Sequence, residues 1–93
     1  IHDAAVQDLK IVLCLDRAGD VLIADTDNHV IRKYRQSDRR LVRVAGTGRQ
    51  GSAGLGGPPE QVELNNPHGV TVTPQGILYI VDSYNNRVLK IVK

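Results

Sequence analysis

His68 has the widest chemical reach in this chain: imidazole is a zinc ligand, and three such ligands plus a water make a hydrolytic centre. Asp25-Thr26-Asp27-Asn28 begins like a calcium-binding loop but lacks the sixth-position glycine and the distal glutamate. Gly46-Thr47-Gly48-Arg49-Gln50-Gly51 matches a dinucleotide-binding fingerprint. That site needs a helix immediately afterwards and an acidic residue about 20 positions on. Ser52-Ala53-Gly54-Leu55-Gly56-Gly57-Pro58-Pro59 follows instead, and residues 66–73 contain no carboxylate, so the segment reads as a flexible link. Arg32, Lys33, Arg35, Arg39, Arg40 and Arg43 gather into a basic surface, the raw material for binding RNA or for an edge protected by charge. No Ser/His/Asp or Cys/His constellation and no poised carboxylate pair is visible, which leans against an enzyme. Cys14 is alone inside an apolar run, so it forms no intrachain disulfide and reads as a small buried hydrophobe.

These residues sit on a doubled segment. From Gly19-Asp20-Val21 to Arg32-Lys33-Tyr34 the chain aligns without a gap on Gly76-Ile77-Leu78 to Leu89-Lys90-Ile91, 57 residues further on. A fixed period of this size marks a modular architecture whose unit does not bury its own hydrophobic face. The apolar runs are short, β-branched and bounded by turn residues, so they predict strands. The expected strands are Ile11–Leu15, 21–24, Val30–Arg35 and 41–45, with turns at 16–20, 25–29 and 36–40. After a Gly-, Pro- and Asn-rich connection at 46–67 the cycle restarts with strands at 69–73, 77–81 and 87–92. Residues 1–10 are a lead-in, either an outer strand or a linker. The fold class is therefore all-β: a β-propeller fragment with one complete four-stranded antiparallel blade at 11–45 and most of the next at 68–93. Asp25, Asn28, Asp82 and Asn85 recur as hairpin residues. Asp accepts backbone N–H bonds across a loop, and Asn tolerates left-handed φ.

The recurring residues resemble the NHL repeat family. Asn28-His29-Val30 nearly spells the triplet that names it, and Asn85-Asn86-Arg87-Val88 is the commoner variant. Each is preceded by an Asp-hydroxyl pair, Asp25-Thr26 or Asp82-Ser83, and by a turn glycine, Gly19 or Gly76. Pro67-His68-Gly69-Val70 looks like the family's approach to its innermost strand. The resemblance implies membership of a six-bladed ring, completed by neighbouring blades of the same protein or by other copies. It implies a binding or scaffold module that recognises a protein or small ligand at one propeller face. Two alternatives come with it. One is a metal-dependent propeller enzyme, peptidyl-hydroxyglycine-lyase-like or lactonase-like, in which His68 is one of several zinc ligands. The other is an RNA-binding propeller that uses the basic face. The first copy has Lys10, Ile11 and Val12 where the second has Pro67, His68 and Gly69. Zinc or calcium therefore enters only if flanking blades complete a site, and no cofactor is evident in the chain itself. The loop at 46–67 is similar to interblade loops of bacterial-type NHL proteins, which favours a secreted or periplasmic location over a cytoplasmic one.

Composition agrees with a partial structure. The chain has 93 residues, no Phe, Trp or Met, and only Tyr34, Tyr79 and Tyr84 as aromatics, so Val, Ile and Leu carry the burial. A net charge of +2 does not by itself imply nucleic acid. No run approaches the roughly 18 apolar residues of a membrane span. One complete unit and most of a second are the expected content of a piece of a longer protein.

Overall fold

Residues 11–91 are described by a computed structural model. Strands β1 (Ile11–Leu15), β2 (Val21–Asp25), β3 (Val30–Arg35) and β4 (Arg40–Ala45) form a four-stranded antiparallel meander in that order. Strands β5 (Gly69–Val72), β6 (Leu78–Asp82) and β7 (Arg87–Ile91) form a second, three-stranded antiparallel sheet. The lead-in at 1–10 and the end of the last expected strand at Val92 lie outside the described residues.

Strand limits differ slightly from expectation, for local reasons. β2 and β6 extend through Asp25 and Asp82, whose backbones still pair with Val30 and Arg87. β5 stops at Val72 because Thr73 belongs to the turn: its hydroxyl accepts the Ile77 N–H at 3.1 Å, and its own N–H donates to the Ile77 carbonyl at 2.8 Å. Each long hairpin closes through a short 3-10 turn, Thr26–Asn28 or Ser83–Asn85. The left-handed residue is the one after the turn, His29 (φ 58°) or Asn86 (φ 54°), one position beyond Asn28 and Asn85.

The two sheets share one core. Leu22, Ala24, Ile31 and Ala45 of the first sheet meet Val70, Leu78 and Ile80 of the second, with Leu89 and Ile91 against the same cluster. Cys14, expected to be buried, is half-buried at the margin of this cluster. Alternation along a strand sends every second side chain to the opposite face. The first sheet's far face thus carries Leu13 (61% exposed), Leu15 (66%) and Leu41 (55%).

Residues 46–67 correct the expectation of a flexible link. Gly46 donates to the Pro59 carbonyl (3.0 Å), Thr47 to Val62 (3.0 Å), Gly51 to Leu64 (3.1 Å) and Glu63 to Ala53 (2.8 Å). Val62 and Leu64 are buried in the shared core, so the loop is the wedge between the blades. Its glycines provide left-handed turns and room for close approach. Gly46 has φ 94°, and a Cβ there would lie 2.5 Å from the His29 carbonyl oxygen.

Candidate functional site

The recurring Asp and Asn residues build one device at the turn end of each blade. Asp82 is fully buried, and Oδ1 accepts the Asn65 N–H at 2.7 Å. Oδ2 accepts Asn85 Nδ2 at 2.8 Å and Arg87 Nε at 2.7 Å. Asn85 Nδ2 also donates to the Gly51 carbonyl, and Arg87 donates to the carbonyls of Ser52 and Glu63. A charged carboxylate is tolerated in the core because its oxygens are occupied by donors and a cation stands against it. In the first blade, Asp25 takes Asn28 Nδ2 at 3.1 and 3.0 Å and Arg32 Nε at 3.2 Å in a more exposed setting. The second-blade set thus ties the loop to its sheet.

The same end carries an exposed aromatic pair. His68 is exposed, and its ring stacks on Tyr84 with centroids 5.9 Å apart and planes at 27°. The Tyr84 N–H donates to the Asn65 carbonyl at 3.1 Å, which fixes the turn that carries the ring. Asn66 bridges the blades: its backbone N–H donates to His29 Nδ1 at 3.0 Å, and its Nδ2 reaches Asp27 Oδ1 at 3.5 Å. His29 is half-buried and bonded across the blade boundary. Sequence reading singled out His68 but not Tyr84 or Asn66. Their signal was the strand pairing Gly69 with Val81, which returns residues 83–86 to the start of β5.

Among the described residues, no group of three His, Cys, Asp or Glu side chains stands close enough to hold a metal ion. The basic set is divided. Arg32 pairs with Asp25, Lys33 with Asp16 at 3.2 Å and Arg35 with Asp38 at 2.7 Å. Arg39, Arg40 and Arg43 are exposed around the β3–β4 turn and along the β4 edge. Burial pushes the Asp16 carboxyl up, but the Lys33 ammonium and the Asp20 and Ala18 N–H groups outweigh it and hold its pKa below the ordinary 3.8.

Comparison with known proteins bears on this geometry. The family model of the NHL repeat matches residues 64–91, which run from the loop's buried Leu64 through β7. That segment matches the NHL repeat, and two antiparallel sheets with a loop wedged between them fit a propeller fragment. The chain is also similar to Protein SUPPRESSOR OF QUENCHING 1, chloroplastic, from Arabidopsis thaliana. The identity is 33% over 75 residues, covering 81% of this chain and 7% of that protein. The chain thus spans a small fraction of the length of the curated relative it matches. Among the described residues, no helix is long and apolar enough to cross a membrane.

Proposed function

We propose that the chain is two blades of a six-bladed NHL propeller that acts as a binding or scaffold module, with its recognition surface at the turn end. The observation that carries this reading is the exposed His68–Tyr84 stack at the turn end. An exposed, stacked aromatic pair suits a peptide or a small planar ligand, offering stacking area together with the ring nitrogens of His68 and the hydroxyl of Tyr84. Buried bonds below the stack keep it in place, so binding loses little to ordering of the surface.

The metal-enzyme alternative rests on His68 alone and takes zinc or calcium only from ligands on other blades. The RNA alternative rests on Arg39, Arg40 and Arg43, and calls for a steep loss of RNA retention with salt. A location outside the cytoplasm rests on the likeness of loop 46–67 to bacterial-type interblade loops. The test is capture of partners by the whole parent protein, compared with a His68→Ala/Tyr84→Ala variant. The reading expects a specific partner to be lost while folding is intact. An unchanged partner set would contradict it.

A further inference from the structure

Lys33 stands on the side of its strand where a charge is least expected. The register sets it directly across from Leu22, on the core-facing side of the first sheet. Its ammonium reaches out of the apolar layer to Asp16 Oδ2 at 3.2 Å, with the two side chains 24% and 12% exposed. Asp16 is itself fixed by the β1–β2 turn, since Oδ1 accepts the N–H groups of Ala18 at 3.0 Å and Asp20 at 2.9 Å. An ammonium has three donors. Among the described residues, Asp16 is the acceptor that Lys33 holds. The repeat does not account for the pair: at the 57-residue offset Lys33 recurs as the exposed Lys90, while Asp16 is replaced by Thr73.

Beside this pair a crevice of about 250 Å³ opens between the two sheets. Leu22, Val44, Val72 and Leu78 give it an apolar floor, and Lys33 with the exposed Arg17 and Ala18 forms its rim. Two cations against the one carboxylate of Asp16 leave a single positive charge over apolar walls. Both walls belong to the described sheets, so the crevice needs no further blade to complete it. It opens at the 16–20 turn, the end of β2 opposite the hairpin turn Thr26–Asn28.

We propose that this crevice binds a small free carboxylate with an apolar tail, of the class of a medium-chain fatty acid. The carboxylate takes the remaining donors of Lys33 and the Arg17 guanidinium, and the tail lies over Leu22, Val44, Val72 and Leu78. Charge-assisted bonds at the rim and apolar area on the floor are the two parts such a ligand needs. A volume of about 250 Å³ falls below the range of drug-sized pockets, which sets the ligand's size. The net charge selects a monoanion: a phosphate dianion would bring two negative charges beside Asp16, and a neutral ligand would leave the Lys33 donors unused. The site is separate from the His68–Tyr84 surface and does not rest on what that surface binds.

Titration of the chain with octanoate, followed by the backbone amide signals in NMR, tests the proposal. Binding is expected to saturate and to move the amides of Ala18, Val44, Val72 and Gly76, with 1-octanol at least about ten-fold weaker, the size of a charge-assisted hydrogen bond. Lys33→Met keeps the apolar stem and is expected to weaken octanoate about ten-fold while leaving octanol unchanged. Asp16→Asn removes the competing negative charge and is expected to tighten octanoate. A pair that only holds the turn in place would move both variants in the same direction, and that result would overturn the proposal. Ala18→Phe, at an exposed position on the rim, fills the mouth without touching either charge and is expected to abolish binding even if Lys33→Met does not fold. Equal affinity for octanoate and octanol, full octanoate binding in Ala18→Phe, or shifts confined to β7 or to Leu13 and Leu15 would also overturn it. Partner capture reads the opposite end of the blades, so the two readings fail separately.

Discussion

Asp82 and Arg87 stand directly opposite each other on β6 and β7, with Arg87 Nε 2.7 Å from a carboxylate oxygen that has no solvent exposure. The guanidinium spends its other two nitrogens on carbonyls of Ser52 and Glu63, and the carboxylate's other oxygen holds Asn65. One ion pair thus ties the second blade to three points of the preceding loop. The pairing of Asp25 with Arg32 is the looser version, 3.2 Å between half-exposed side chains.

Asp82→Ala leaves Arg87 without its counterion and the Asn65 N–H without its acceptor. The expected cost is about 3 kcal/mol, the lower end for breaking a buried pair because Arg87 is partly exposed. Asp25→Ala removes a more hydrated pair and is expected to cost under about 1 kcal/mol. Urea unfolding midpoints at constant slope check the ordering; equal costs would show that burial does not distinguish the two sites.

Gly46→Ala forces a side chain onto φ 94° and into the His29 carbonyl. The expected loss is about 2 kcal/mol, from strain in a left-handed position with no room to relax. Gly56→Ala is the control: it shares the positive φ (83°) but has nothing within 4 Å. Its cost in the same unfolding experiment should be smaller.

Asp16 gives the chain an acid-sensitive element. Its folded pKa lies below the unfolded value, so its contribution is fully present above that value and is lost as pH falls through the folded one. Asp16→Asn keeps an acceptor for Asp20 and Ala18 but removes the charge opposite Lys33. Its unfolding midpoint should therefore change less than wild type's between about pH 5 and pH 2. An identical acid dependence in the two proteins would contradict this role.

The strands were legible because short β-branched runs between turn residues repeat at one spacing, and two copies check each other's register. The loop was not. Its glycines and prolines suggest a link without structure, while the determinants of order are Val62 and Leu64, two apolar residues that become core only beside Ala45 and Ile80. Similarly, the likeness of Asp25 to Asp82 was visible, but their difference in burial depends on what the loop brings over each carboxylate. Tyr84 stood out only as an aromatic until the pairing of β5 with β6 brought it onto His68.

Loop 46–67 and the two sheets form a single folded unit held at the Asp82–Arg87 pair. Amide hydrogen exchange on the chain tests it most directly, at Thr47, Gly51 and Glu63, whose N–H groups bond to Val62, Leu64 and Ala53. These amides should exchange as slowly as those of β6 and lose that protection selectively in Asp82→Ala. Exchange at the rate of an unstructured peptide while β6 stays protected would contradict it.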